Sequence, residues 1–270
     1  MAELATATQI PDRRWRQGCI VPHEAVPTQL QLTLGGEALL ILLAQDCDIL
    51  HDDYLAEPSV ELHIARPAAE RDGNLLHAKN PRRLQFAVRG ELYEIGIHEK
   101  CTVPRTCLLD HAPLDLVLDE IEIRTIIRWT ANRYMRSAFP DEFNRRLFSA
   151  KQPLKKIVAA LKRDGELVTN IFLRVDPMDE IGDGEKYRVI LRFTALEEVL
   201  GQTEAAKRAI ELTEFIQREF AAVGGVEIED CKLVSEDDFS LADLRETMRW
   251  DYDYLSFRGG APNDPAPNTA

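Results

Sequence analysis

Seven consecutive apolar residues at 38–44 (ALLILLA) constrain what this chain can fold into more than any other feature. The run is far short of the roughly 20 residues needed to cross a bilayer. Its continuous apolar character suits a strand covered on both faces. Upstream, residues 29–34 alternate polar and apolar, and Gly35 and Gly36 signal a turn, so residues 29–34 and 37–44 are expected as the two arms of a hairpin. Residues 17–21 and 60–65 read as further short strands. Residues 84–88 and 91–97 flank Arg89 and Gly90 as a second hairpin.

The periodicity then changes. Ile123, Ile126, Ile127, Ala131 and Tyr134 recur at helical spacing, with Arg124, Arg128, Asn132 and Arg136 as a polar stripe beside them. Pro140 stops that helix, and Asp141 can cap the next. Pro153 suits the first turn of a third, which Gly165 ends. Residues 167–175 and 186–194 read as a hairpin around an acidic loop. A long amphipathic helix follows over 204–223, closed by Gly224 and Gly225. Residues 226–234 are a strand, Ser240 can cap a helix over 241–250, and the Gly/Pro/Asn-rich end reads as a disordered tail. The expected fold class is α+β: an N-terminal small antiparallel β-barrel or curled sheet, central helices, and a C-terminal β-hairpin with helices. The expected organisation is an N-terminal arm at 1–16, a β-rich domain at 17–115, a basic helical segment at 116–165, an acidic α+β region at 166–258 and a tail at 259–270.

The formal net charge of −13 argues against nucleic acid and anionic membranes. Its distribution reopens the question, because residues 121–165 carry 11 Lys and Arg against 4 Asp and Glu. The first 18 residues lack an apolar signal-peptide core. Five widely spread cysteines fit free thiols in a reduced, cytoplasmic setting. No P-loop, G-x-G-x-x-G, G-x-S-x-G or H-E-x-x-H motif is present.

Three constellations could carry chemistry. First, the apolar run ends in Asp46–Cys47–Asp48. In an extended strand the two carboxylates would share a face and could hold Mg²⁺, with Glu61, His63 and Lys79 completing a metal-dependent nuclease site. The same residues also suit a strand-to-turn transition, with Asp side chains bonding backbone N–H groups. Second, Cys19 with His23, and Cys47 with His51, supply zinc-type ligands at a spacing unlike that of usual zinc knuckles, so no metal is assigned to them. Cys101 and Cys107 are no stronger. Third, Arg124, Arg128, Arg133, Arg136, Arg145 and Arg146, with Lys155 and Lys156, could meet phosphates, with Trp129 and Tyr134 stacking on bases. These cations could equally neutralise the acidic C-terminal third, in segments such as EIED and SEDDF. Trp250, Tyr252 and Tyr254 are expected in the core.

The order QGCIVP, ALLILLAQDCDI, SVELHIARP over residues 16–67 resembles the PemK/MazF growth-inhibitor toxins, small bacterial SH3-like barrels. The resemblance implies a ribonuclease or a nucleic-acid contact. The basic loop that the family carries before its central strand is absent from TQLQLTLGGE, and no catalytic residue transfers. Taken together, the sequence predicts a cytoplasmic binding or regulatory protein. It would need no cofactor and would contact nucleic acid or a protein partner through the basic segment. The alternative is a Mg²⁺-dependent nuclease centred on Asp46 and Asp48.

Overall fold

The computed structural model describes residues 11–116, 118–132 and 139–250. Two compact units emerge. One runs to Arg71 and resumes over Arg82–Asn132; the other takes Asp72–Pro81 and the chain after Asn132. The α+β class is borne out, as are the central helices and the C-terminal hairpin. The basic stretch expected as one segment is divided between the units.

The first unit is built on an open sheet in the order β1-β2-β3-β5-β4, with β1 (Ile20–Val21), β2 (Leu39–Leu42), β3 (Ser59–Pro67), β4 (Arg83–Val88) and β5 (Glu91–Pro104), all neighbours antiparallel. β1 and β4 are its edges, so the sheet does not close into a barrel. Every residue of β2 is buried, as its apolar run requires. The β4–β5 turn is the predicted one. Arg89 and Gly90 have φ of 51° and 87°, the left-handed pair that a two-residue type I′ turn demands.

The arm expected over residues 29–34 is instead a helix, α1 (Thr28–Leu34). In a strand, Leu30, Leu32 and Leu34 would share one face. In the helix Leu30 and Leu34 pack into the core, while Leu32 is 83% exposed. Pro27 opens α1, where its missing N–H is no loss, and Gly35 at φ 73° closes it. Residues Asp46–Ile49 form a single helical turn, α2, rather than a strand end.

Helix α3 (Glu120–Asn132) begins where the Asp119 carboxylate accepts the Glu122 N–H at 2.8 Å. Its buried residues are Ile126 and Trp129, with Ala131 outside, so the apolar stripe is rotated from the expected one. Gly18 lies under Ile123 at φ 86°. A Cβ there would come within 2.5 Å of the Ile123 side chain.

The second unit contains α4 (Asp141–Ser149), α5 (Lys151–Asp164), β6 (Asn170–Asp176), β7 (Tyr187–Ala195), α6 (Glu197–Leu200), α7 (Thr203–Ala221), β8 (Val226–Ser235), α8 (Leu241–Glu246) and β9 (Met248–Arg249). Its sheet order is β8-β7-β6-β9. β6 and β7 form the predicted hairpin. α7 crosses over so that β8 lies parallel to β7, a pairing that a tight turn cannot make. Leu161 of α5, Leu191 of β7 and Ile216 of α7 belong to one core. Asp141 does not cap α4. Pro140 stands before the helix, and both Glu180 carboxylate oxygens accept the Asp141 and Glu142 N–H groups, at 2.6 and 2.8 Å. Ser240 does cap α8, in a reciprocal box with Asp243. That helix stops at Glu246 because Met248 and Arg249 pair with β6. Trp250 is buried edge-on against Phe220. Tyr252, Tyr254 and the tail lie outside the described residues, as does most of the N-terminal arm. No described helix is long and apolar enough to cross a membrane.

Candidate functional site

The carboxylate pair loses its geometry because its backbone is helical. Two residues apart on a helical turn, Asp46 and Asp48 do not face each other. Asp46 accepts the Gln17 N–H at 2.8 Å and lies 3.5 Å from the Arg16 guanidinium, while Asp48 accepts the Cys47 thiol at 3.2 Å. Glu61 is paired with Lys100 at 3.1 Å. His63 is fully buried and bonds Thr130 of α3 at 2.9 Å. Desolvation holds its imidazole below the usual pKa. Lys79 belongs to the second unit, 2% exposed, where its ammonium donates to the Gly165 and Val168 carbonyls.

Asp46, Asp48 and Glu61 are thus each engaged by other partners, and Lys79 by backbone carbonyls of its own unit. Among the described residues no three His, Cys, Asp or Glu side chains are grouped to hold a metal ion. The Cys–His pairs fail likewise. The His23 ring bonds the Ala38 carbonyl oxygen at 2.6 Å, and the His51 ring accepts the Asp53 N–H at 3.0 Å. The cysteines are free, and burial pushes the Cys107 and Cys231 thiols up to about 11, far from an activated nucleophile.

The cations of the basic stretch are mostly paired. Arg124 meets Glu120 at 2.5 Å, and Arg145 meets Glu142 at 2.5 Å and Asp183 at 3.3 Å. Lys156 meets Glu219 at 3.1 Å. Arg146 is 8% exposed and donates to Glu142 and to the carbonyls of Gly182, Glu185 and Gly225, all within 3.0 Å. It is a clamp and has no face left for a phosphate. The Arg145 and Arg146 guanidiniums hold the Glu142 carboxyl down at about 2. Trp129 is 1% exposed and cannot stack on a base. Arg128 is exposed and has no ion pair among the described residues. Arg133, Arg136 and Tyr134 lie outside them. Asp183, the second partner of Arg145, and Glu219, the partner of Lys156, lie in the acidic C-terminal third, as the neutralisation alternative holds, while Glu142 lies in the basic stretch itself. The EIED acids, however, serve Arg174, Arg188 and Arg192 of their own sheet, together with Lys186 and Lys232.

The first unit carries a groove of about 610 Å3. Its walls are residues 22–24 after β1, 36–39 entering β2, 67–68 leaving β3 and 91–93 opening β5, with Leu114. The antiparallel register gathers these ends, through the pairs Leu39↔Ala65 and Pro67↔Tyr93. The His23–Ala38 bond ties two of the walls together. Glu24, Glu37 and Glu91 line the groove, all exposed and none with an ion pair among the described residues. No Lys or Arg lines it. Sequence reasoning missed this groove because its residues are spread from Pro22 to Leu114. The only local signal was that two walls lie beside the Gly35–Gly36 and Arg89–Gly90 turns.

Comparison with protein-family models, with curated proteins and with solved structures finds no match to this chain.

Proposed function

We propose that this chain is a non-catalytic binding protein whose partner is another protein rather than a nucleic acid. The observation that carries this reading is the inversion of charge between composition and surface. Five of the nine described cations of the basic stretch (Arg124, Arg145, Arg146, Lys156 and Arg163) are held by acids, whereas Glu24, Glu37 and Glu91 of the groove have no ion pair among the described residues. A phosphate backbone needs several free cations along one surface, and the exposed cations of the stretch without an ion pair among the described residues, Arg128 on α3 and Lys151, Lys155 and Lys162 on α5, are divided between the two units. RNA is the competing ligand, and the one that the resemblance to PemK/MazF implies. The test is titration of the full chain with short labelled RNA and DNA across a salt series. No binding is expected even at low salt. Tight, salt-sensitive binding lost in an Arg128→Glu/Lys155→Glu variant would overturn the reading.

A further inference from the structure

We propose that the groove of the first unit docks an extended segment of a partner protein in which Lys or Arg alternates with apolar side chains. The inference rests on the protein-partner reading above and adds its place and chemistry. Charge comes first. Glu24, Glu37 and Glu91 face one concavity with no cation of the described chain to neutralise them. Unpaired carboxylates on a low-dielectric wall focus negative potential and draw in cationic ligands.

The arrangement of these charges selects the kind of cation. The carboxylates do not converge, since among the described residues no trio of His, Cys, Asp or Glu is placed to share an ion, although His23 adjoins Glu24. Separated charges match a ligand whose own cations are separated. Apolar residues line the groove beside the acids: Leu39, Leu92, Leu114, Pro22, Pro67 and Tyr93. Leu114 is 44% exposed. A wholly polar polycation would leave that surface in water, whereas apolar side chains between the cations would cover it. The volume of about 610 Å3 falls within the roughly 300–1,000 Å3 typical of ligand clefts. Leu39, Pro67 and residues 91–93 of the walls are strand residues fixed by their register, which lowers the ordering cost of binding on that side.

Gly36 supplies a clean probe. Nothing lies within 4 Å of where its Cβ would be, and its backbone is outside the left-handed region. Gly36→Trp therefore fills the groove without straining the turn, and it leaves all three carboxylates in place.

The experiment selects a random-peptide display library on the immobilised full chain and measures enriched peptides, labelled, in solution. Peptides with Lys or Arg interleaved with apolar residues are expected. Their affinity should fall at least tenfold in Glu24→Lys/Glu37→Lys/Glu91→Lys, and again in Gly36→Trp. A control reversal of equal charge on the second unit, Glu204→Lys/Glu211→Lys/Asp237→Lys, should leave affinity within twofold. Circular dichroism confirms that each variant is folded. Three outcomes overturn the proposal: no enrichment, affinity unmoved by the groove variants, or spermine competing as well as the peptides and binding equally to the Gly36→Trp protein. Peptides that bind regardless of the groove variants would sink this site while leaving the protein-partner reading intact. Nucleic-acid binding in the salt series would sink that reading itself.

Discussion

The two units bury arginine in different ways. In the first, Arg105 is 0% exposed and has no carboxylate. Its guanidinium donates to the carbonyls of Asp48, Ile49, His51 and Asp53 and lies 4.0 Å over the Tyr54 ring, while its Nε has no hydrogen-bond partner. In the second, Arg146 makes a similar set of carbonyl bonds but keeps Glu142 at 2.7 Å. Both arginines act as hubs that gather loop carbonyls left over by strands and helices, groups that must find a donor once buried. The difference lies in what each leaves outside. Arg105 organises the acidic stretch from Asp48 to Asp53 through its backbone, so those carboxylates stay in solvent. Arg146 and Arg145 consume the acid beside them. Part of a basic sequence segment, Arg146, thus serves as internal scaffolding.

Replacing each hub should give the largest effects. Arg105→Met strands several buried carbonyls, at about 1–3 kcal/mol each where water cannot replace the donor, so a loss of about 4 kcal/mol is expected in chemical denaturation. Arg146→Met strands three carbonyls and should cost about 3 kcal/mol. Hydrogen exchange locates each loss: residues 48–54 for Arg105, residues 182–187 and 225 for Arg146. Equal loosening of both regions by either variant would contradict the separation of the two hubs.

Acid should separate the units next. The folded-state pKa of His63 is depressed below 6.5, chiefly by burial, with Glu61, Glu99 and Lys100 as its charged neighbours. Its neutral ring contributes stability that is full above pH 6.5 and is lost as pH falls below it. Glu142 is depressed from 4.5 to about 2 by Arg145 and Arg146, so its contribution is full above pH 4.5 and is lost only below it. Glu122 in the first unit acts in the opposite sense. Burial raises its carboxyl, so its protonation relieves a cost as pH falls. In a Glu122→Gln background, amides of β3 and α3 should therefore lose protection between pH 6.5 and 4.5 while those of α4 hold. The reverse order would refute the assignment. The smallest effect is expected at the α4 start. Glu180→Ala removes the acceptor of two N–H groups and should destabilise by about 1 kcal/mol, read as a lower melting temperature.

Much of the fold was legible because its signals are local. The ALLILLA run fixed β2, the Arg-Gly turn fixed β4–β5, and Ser240 fixed the start of α8. Residues 29–34 misled because their leucines satisfy both a two-residue and a four-residue repeat, and only packing against the core chose the helix. The candidate site was barely legible. Asp46 and Asp48 looked like ligands until a single helical turn separated them. Lys79 looked like a catalytic lysine until it was found capping backbone carbonyls at the end of α5. Arg146 looked like a phosphate contact until its donors were seen to be taken.

The sequence by itself determined the α+β class, the strand at the centre of the first sheet, the hairpin turns and an uneven charge along the chain, because each follows from neighbours within a turn or two. Only the tertiary structure decided which charges reach solvent. Pairing depends on register and on contacts between residues far apart in the chain, such as Arg145 with Asp183 or Lys156 with Glu219. The same long-range register gathers Glu24, Glu37 and Glu91 into one groove and leaves them without an ion pair among the described residues.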